Sequence, residues 1–170
     1  MRRGSVFDAA YNVTIPMPII ELLTSINAPE GTCFDLARDI DLHIASTEGT
    51  REKAVAGVTS GLITHGEEVT WEATHFGIRQ RLTSRITGFD RPRHFRDSQV
   101  NGPFRRFDHD HFFTNESGVT VMRDVFDYES PLGLLGRCAD RLFLWSYMVR
   151  LLKKRALVIK AAAEGGRRDC

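Results

Sequence analysis

Phe107-Asp108-His109-Asp110-His111-Phe112-Phe113 alternates with period two, so strand geometry puts Phe107, His109, His111 and Phe113 on one face. Two imidazoles would then sit between two phenyl rings. A face with Phe at both ends is a buried face, and buried imidazoles require hydrogen-bond partners or a ligand. Outward from this stretch the same period holds from about Glu52 to Glu129, with turn residues between the runs. That pattern predicts an antiparallel sheet rather than alternating strands and helices.

Six strands are expected in this region, roughly Lys53 to Val58, Glu67 to Phe76, Ile78 to Phe89, His94 to Val100, Phe104 to Phe113 and Val119 to Tyr128. Thr64-His65-Gly66-Glu67, Phe76-Gly77 and Asn115-Glu116-Ser117-Gly118 supply turn chemistry between several of them. Ahead of the sheet, Ile19 to Asn27 alternates imperfectly through Ile20, Leu22, Thr24 and Ile26. Cys33 to Ile44 then carries helical spacing, with Phe34, Ala37, Ile40 and Ile44 as its inner stripe. After Ser130-Pro131-Leu132-Gly133 the period becomes helical again, with Leu135, Ala139, Leu142, Trp145, Val149, Leu152, Ala156 and Ile159 on one side. A helix over Leu134 to Ala163 would span about 45 Å at 1.5 Å per residue. Its economical packing is inside a curved antiparallel sheet.

The chain has 170 residues, 42% hydrophobic and 26% charged, which fits one domain with a core. The expected layout is a flexible tail over 1–17, one ligand-binding domain over 18–163 and a second tail over 164–170. Met17-Pro18 directly precedes the first strand, so translation could start at Met1 or Met17. A net charge of +1, from 23 basic and 22 acidic residues, provides no global attraction for nucleic acid or an anionic membrane. Cys33, Cys138 and Cys170 leave an odd thiol without CxxC spacing, so a reducing cytoplasm is the simplest setting. No apolar run reaches the roughly 18 residues of a membrane span, and no signal peptide is read at the N-terminus.

Several phrases together resemble the START-related lipid-transfer and polyketide cyclase superfamily, also called SRPBCC. They are Ile26-Asn27-Ala28-Pro29 leading to Phe34-Asp35-Leu36-Ala37-Arg38-Asp39, then Phe95-Arg96-Asp97-Ser98-Gln99, Gly102-Pro103-Phe104, His109-Asp110-His111-Phe112, and Asp124 followed by Pro131-Leu132-Gly133-Leu134-Leu135-Gly136. The resemblance covers about Pro18 to Lys160. It implies an α+β helix-grip fold: a curved seven-stranded antiparallel sheet around a long C-terminal helix, with two short helices after the first strand. It also implies a bacterial cyclase/dehydrase-like ligand-binding protein. Fold alone does not settle function.

In that fold the concave face and the long helix enclose a mainly apolar cavity. Alternation nominates its lining as Trp71, His75, Leu82, Phe95, Asp97, Gln99, Phe107, His109, His111, Met122, Asp124 and Phe126 from the sheet, with Leu142 and Trp145 from the helix. Arg79, Arg81, Thr83 and Arg85 take the opposite, outward face. Asp97, Gln99, His109, His111 and Asp124 are expected to converge. Such a cluster can be a satisfied polar network, a set of contacts for the ligand's polar end, or a His/Asp acid–base pair. His109, His111, Asp97 and Asp124 are the catalytic candidates under the last reading. A metal reading, with the two His at i and i+2 on one strand and Asp97 or Asp124 as third ligand, is set aside because no wider ligand-spacing motif supports it; no metal and no cofactor are expected.

The function these residues predict is binding, with or without transport, of a small hydrophobic ligand such as a lipid, isoprenoid, quinone or polyketide. The alternatives are a cyclase/dehydratase-type enzyme and an interaction module resembling the helix-grip activators of heat-shock ATPases. Other partners expected are no nucleic acid, no integral membrane span, and at most transient membrane contact through Arg150, Lys153, Lys154 and Arg155. Monomer and homodimer remain open. His43 is read as a capping or surface residue, and His65 and His94 as solvated. The arginines around Arg91 to Arg106 are read as a mixed ion-pair surface.

Overall fold

A computed structural model describes residues 19–130 and 143–165, apart from the side chain of Glu48. The alternating runs become strands: β1 Ile19–Ile26, β2 Lys53–Gly57, β3 Glu68–His75, β4 Ile78–Asp90, β5 His94–Asn101, β6 Arg106–Glu116 and β7 Val119–Glu129. Between β1 and β2 lie α1 (Glu30–Ala37), α2 (Ile40–Ser46) and a short 3-10 turn at Glu48–Thr50. The chain closes with α3, Trp145–Gly165. The sheet is one seven-stranded antiparallel unit in the order β1-β7-β6-β5-β4-β3-β2. This is the helix-grip architecture that the resemblance implies.

Local chemistry explains the punctuation. The helical spacing over Cys33 to Ile44 resolves into the two short helices expected after the first strand, because Asp39 caps α2, its Oδ1 accepting from the N–H groups of Asp41 and Leu42 at 2.8 and 3.0 Å. Phe76 and Gly77 both take positive φ, 53° and 77°, between the paired residues His75 and Ile78. Ser117 and Gly118 do the same between Glu116 and Val119. Both are the two-residue turns whose twist suits antiparallel hairpins.

The core has two parts. Under α1 and α2, Phe34 is fully buried and meets Phe89, Phe95 and Phe113 edge-on at 5.3 to 5.6 Å. Each such ring pair contributes about 0.5–1.5 kcal/mol beyond burial. Ala156, Ile159 and Ala163 of α3 close this part. The other part joins Ile20, Phe107, Phe126 and Tyr128 to Met148, Val149 and Leu152. Outside, Glu72 pairs with Arg79 and Arg81, Asp110 with Arg96, and Asp127 with Arg106. The Arg96 and Arg106 pairs belong to the mixed ion-pair surface expected around Arg91 to Arg106.

The helix runs to Gly165, past the expected end at 163, and its expected start at Leu134 lies outside the described residues. The proposed tail over 1–17 also lies outside them, as do Cys138 and Cys170. Cys33 is buried, and burial raises its thiol pKa, so it is a packed apolar group.

Candidate functional site

Between the concave face of the sheet and α3 is a cavity of about 310 Å³. Its walls draw on both core regions: Trp71 and Ala73 from β3, Leu82 from β4, Phe107 from β6, Phe126 from β7, and Leu144, Met148 and Leu152 opposite them. Phe76 lines it while remaining 64% exposed, which marks the rim. Polar side chains share the lining, among them His43, Glu52, His75, Gln80, Ser84, Asp97, His109, Tyr147 and Arg155. An apolar wall with polar groups set into it is the usual form of a small-molecule site.

Register builds the polar cluster. Asp97 on β5 lies directly opposite His109 on β6, and His111 on β6 lies directly opposite Asp124 on β7. Facing pairs have Cβ atoms only about 4.5–5.5 Å apart, so four side chains meet in one patch. His111 Nδ1 is 2.6 Å from Asp124 Oδ1, and its Nε2 is 3.3 Å from Asp97 Oδ1. His109 Nε2 is 3.5 Å from Asp124 Oδ1, and its Nδ1 is 3.8 Å from Asp97 Oδ1. The two contacts with Asp124 are out of line for hydrogen bonds, leaving buried His109 Nε2 and His111 Nδ1 held by charge and proximity. Phe95 stacks on the His111 ring at 4.2 Å, and Phe126 meets His109 edge-on at 5.3 Å.

The two imidazoles are driven apart electrostatically. Burial and the neighbouring His111 charge lower the pKa of His109, outweighing its carboxylate partners. Burial also works against a charged His111, but Asp124 and Asp97 together outweigh it and raise its pKa. Asp124 is held ionised well below the ordinary carboxylate range: burial opposes this, and both imidazoles override it. Asp97 shifts down for the same reasons. The arrangement is therefore a neutral His109 on the cavity wall, backed by a His111–carboxylate group.

Of the nominated lining residues, Trp71, His75, Leu82, Asp97, Phe107, His109 and Phe126 border the cavity. His111, Phe95, Met122 and Asp124 sit behind that wall among the buried residues. Strand parity specifies a face, but α1 covers one end of it, and Phe95 and Met122 pack there with Phe34. Gln99 departs from the cluster. Its Nε2 donates to the Phe104 carbonyl at 2.8 Å and its Oε1 accepts from the Phe104 N–H at 3.3 Å, so it clamps the loop before β6. Trp145 is 46% exposed; the wall here is formed by Leu144, just before α3, and by Tyr147, Met148, Leu151, Leu152 and Arg155 on it, so at the start of the helix the inward face lies about one residue, or 100° of rotation, from Trp145. Leu142 lies outside the described residues.

Two groups, His43 and Arg155, escaped the sequence reading of the site. His43 stacks on Trp71 at 4.1 Å and lies 3.3 Å from Glu52, which corrects its assignment to a surface role. Burial lowers the His43 pKa. Arg155 donates to the carbonyl of Ala37 at 2.7 Å while bordering the cavity, and so is no solvated membrane-facing cation. Tyr147 is hydrogen-bonded to His75 Nδ1 at 2.7 Å. His94, expected in solvent, pairs with Asp110 at 2.7 Å.

Fold and site together define a helix-grip protein with an interior chamber. No protein-family model matches the chain, and no curated protein matches it by sequence. Solved structures do. TTHA0849 from Thermus thermophilus is similar with a TM-score of 0.67 at 20% identity, over 86% of this chain and 99% of that one. A START superfamily protein from Mycobacterium smegmatis gives 0.64 at 11% identity, over 86% and 97%. Major latex-like protein 151 from Panax ginseng gives 0.63 at 14% identity, over 86% and 97%. The chain shares its fold with these proteins.

Proposed function

We propose that this protein binds a small, largely hydrophobic molecule between its sheet and α3. One observation carries the reading: the cavity of about 310 Å³ is walled by Trp71, Leu82, Phe107, Phe126 and Met148 and has His109 and Asp97 set into it. Burial of apolar ligand surface at about 25 cal/mol per Å² supplies the affinity. The imidazole and carboxylates select the polar end. A cavity of about 310 Å³ lies at the lower end of the roughly 300–1,000 Å³ range of small-molecule pockets. That favours a ring system or short isoprenoid, quinone-type or polyketide-type molecule over a two-chain lipid.

Native mass spectrometry of the purified protein, followed by titration with single-ring and two-ring quinones and short-chain fatty acids, tests the proposal. One-to-one adducts that raise the melting temperature are expected. A chamber that retains nothing and responds to none of these probes defeats it.

A second reading has one specific observation in its favour, the neutral His109 at the wall with Asp97 and Asp124 beside its two nitrogens. Such a group can take a proton from a carbon acid and return it in a cyclisation or dehydration. His109→Gln separates the readings: a binder keeps its complex with altered affinity, and an enzyme keeps binding while losing turnover.

A further inference from the structure

We propose that Asp97, His109 and His111 form a site for one divalent first-row transition ion, zinc or iron(II), with an open coordination position facing the cavity. One ligand atom from each of the three side chains lies within 4.8 Å of the others. The Asp97 Oδ1 to His111 Nε2 separation of 3.3 Å matches the spacing a metal needs, and the Asp97 Oδ1 to His109 Nδ1 separation of 3.8 Å asks the His109 ring to move inward by about half an ångström on binding. Ligands held at about 2.0–2.1 Å in a tetrahedron are about 3.3 Å apart.

The donor chemistry points the same way. Asp124 lies on the other side of both rings, against His109 Nε2 and His111 Nδ1, the two buried nitrogens without aligned hydrogen bonds. Asp97 Oδ1 accepts from His111 Nε2 at 3.3 Å, so a proton holds that contact in the metal-free protein; a divalent ion would displace it and take His109 Nδ1, His111 Nε2 and the Asp97 oxygen as ligands, with Asp124 left beside the other nitrogen of each ring. A carboxylate behind a ligating histidine is also the usual device for fixing its tautomer and raising its basicity. Two imidazoles and one carboxylate suit zinc or non-haem iron rather than magnesium or calcium.

Rigid positions support the assignment. His109 and His111 are two residues apart on β6, the strand between β5 and β7, and Asp97 faces His109 in register. His109 and Asp97 border the cavity while His111 stands behind them, so the unfilled position points where an oxygen atom of a carbonyl, enolate or phenolate would reach. Metal uptake is measured without an organic ligand, so its outcome is independent of the hydrophobic-ligand proposal.

The purified protein is stripped with chelator and titrated with zinc against a chromophoric competitor, with iron(II) anaerobically, and with cobalt(II) as the spectroscopic probe. One equivalent is expected, and cobalt should give the visible absorption of a low-coordinate nitrogen–oxygen site. Asp97→Asn and His109→Gln should lose at least tenfold in affinity, and Asp124→Asn between about tenfold and a hundredfold. His94→Gln, at the separate Asp110 pair, should leave uptake unchanged. Should the cluster variants fail to fold, the wild-type cobalt spectrum still decides, because sulfur or all-oxygen ligation contradicts the assignment. Absence of one-equivalent uptake of all three ions at micromolar concentration overturns the proposal. So does uptake that survives in folded Asp97→Asn and His109→Gln.

Discussion

Asp124 is the residue on which the buried cluster turns. Its side chain is 8% exposed and touches both imidazoles, so Asp124→Asn removes the charge that keeps them oriented. Breaking a buried pair of this kind costs about 3–5 kcal/mol, to be read from urea unfolding at pH 7. A loss below about 1 kcal/mol would show that the cluster is wet and loosely held. The histidines themselves should titrate on opposite sides of the ordinary value of about 6.5. His111, raised, contributes stability that is present below that value and is lost as pH rises through its folded pKa. His109, lowered, contributes stability above it that is lost as pH falls. NMR titration of the two ring C–H signals checks this, and a reversed order contradicts the roles given to Asp97 and Asp124. At this scale the sequence was informative about faces and silent about depth. Alternation brought His109, His111, Asp97 and Asp124 together correctly. It could not separate Phe95 and Met122, under α1, from Phe107 and Phe126, at the cavity, since all four obey the same parity. His43 was illegible for another reason: its partners Glu52 and Trp71 belong to other elements, and no local spacing announces a stacked ring.

Among the elements, β2 depends most on a single backbone feature. It is a five-residue edge strand with a register shift between Ala54 and Ala56, and it ends at Gly57 with φ of 74°. A Cβ at Gly57 would fall 2.1 Å from the Glu68 carbonyl oxygen, so Gly57→Ala must push β2 from β3. The expected cost is about 1–3 kcal/mol from backbone strain, with more from the clash. Hydrogen exchange should show β2 amides opening before those of β6 and β7. Gly118→Ala, also at positive φ but with nothing within 4 Å, isolates the conformational part at about 1–2 kcal/mol. Equal effects of the two substitutions would refute the steric argument. Element types and the two tight hairpins were legible because period and turn chemistry agreed at each. The α3 face was misjudged by one residue near Trp145, since its apolar residues there outnumber the positions that can face inward.

For the whole molecule, the proposed binding rests on space that packing leaves unfilled. Ala73 is the natural place to remove it: the residue borders the cavity between Trp71 and His75 and is 6% exposed. Ala73→Phe should keep the fold and lower uptake of ring-sized probes at least tenfold, by native mass spectrometry, because the added ring occupies the volume the ligand needs. Undiminished uptake would place binding elsewhere. Among the described residues no helix is long and apolar enough to cross a membrane.

The sheet order also bears on how the molecule is made. From β2 to β7 each strand pairs with its successor in the chain, so those contacts can form hairpin by hairpin. β1 is the exception, pairing along its whole length with β7, from Ile19 opposite Asp127 to Ile26 opposite Thr120. During synthesis the first strand must wait, unpaired, until nearly all of the sheet has emerged, and closing so long a loop is entropically slow. Completion of the barrel-like grip is therefore a late event, and Ile20 and Ile26, fully packed in the finished protein, are the apolar groups a nascent chain leaves exposed longest.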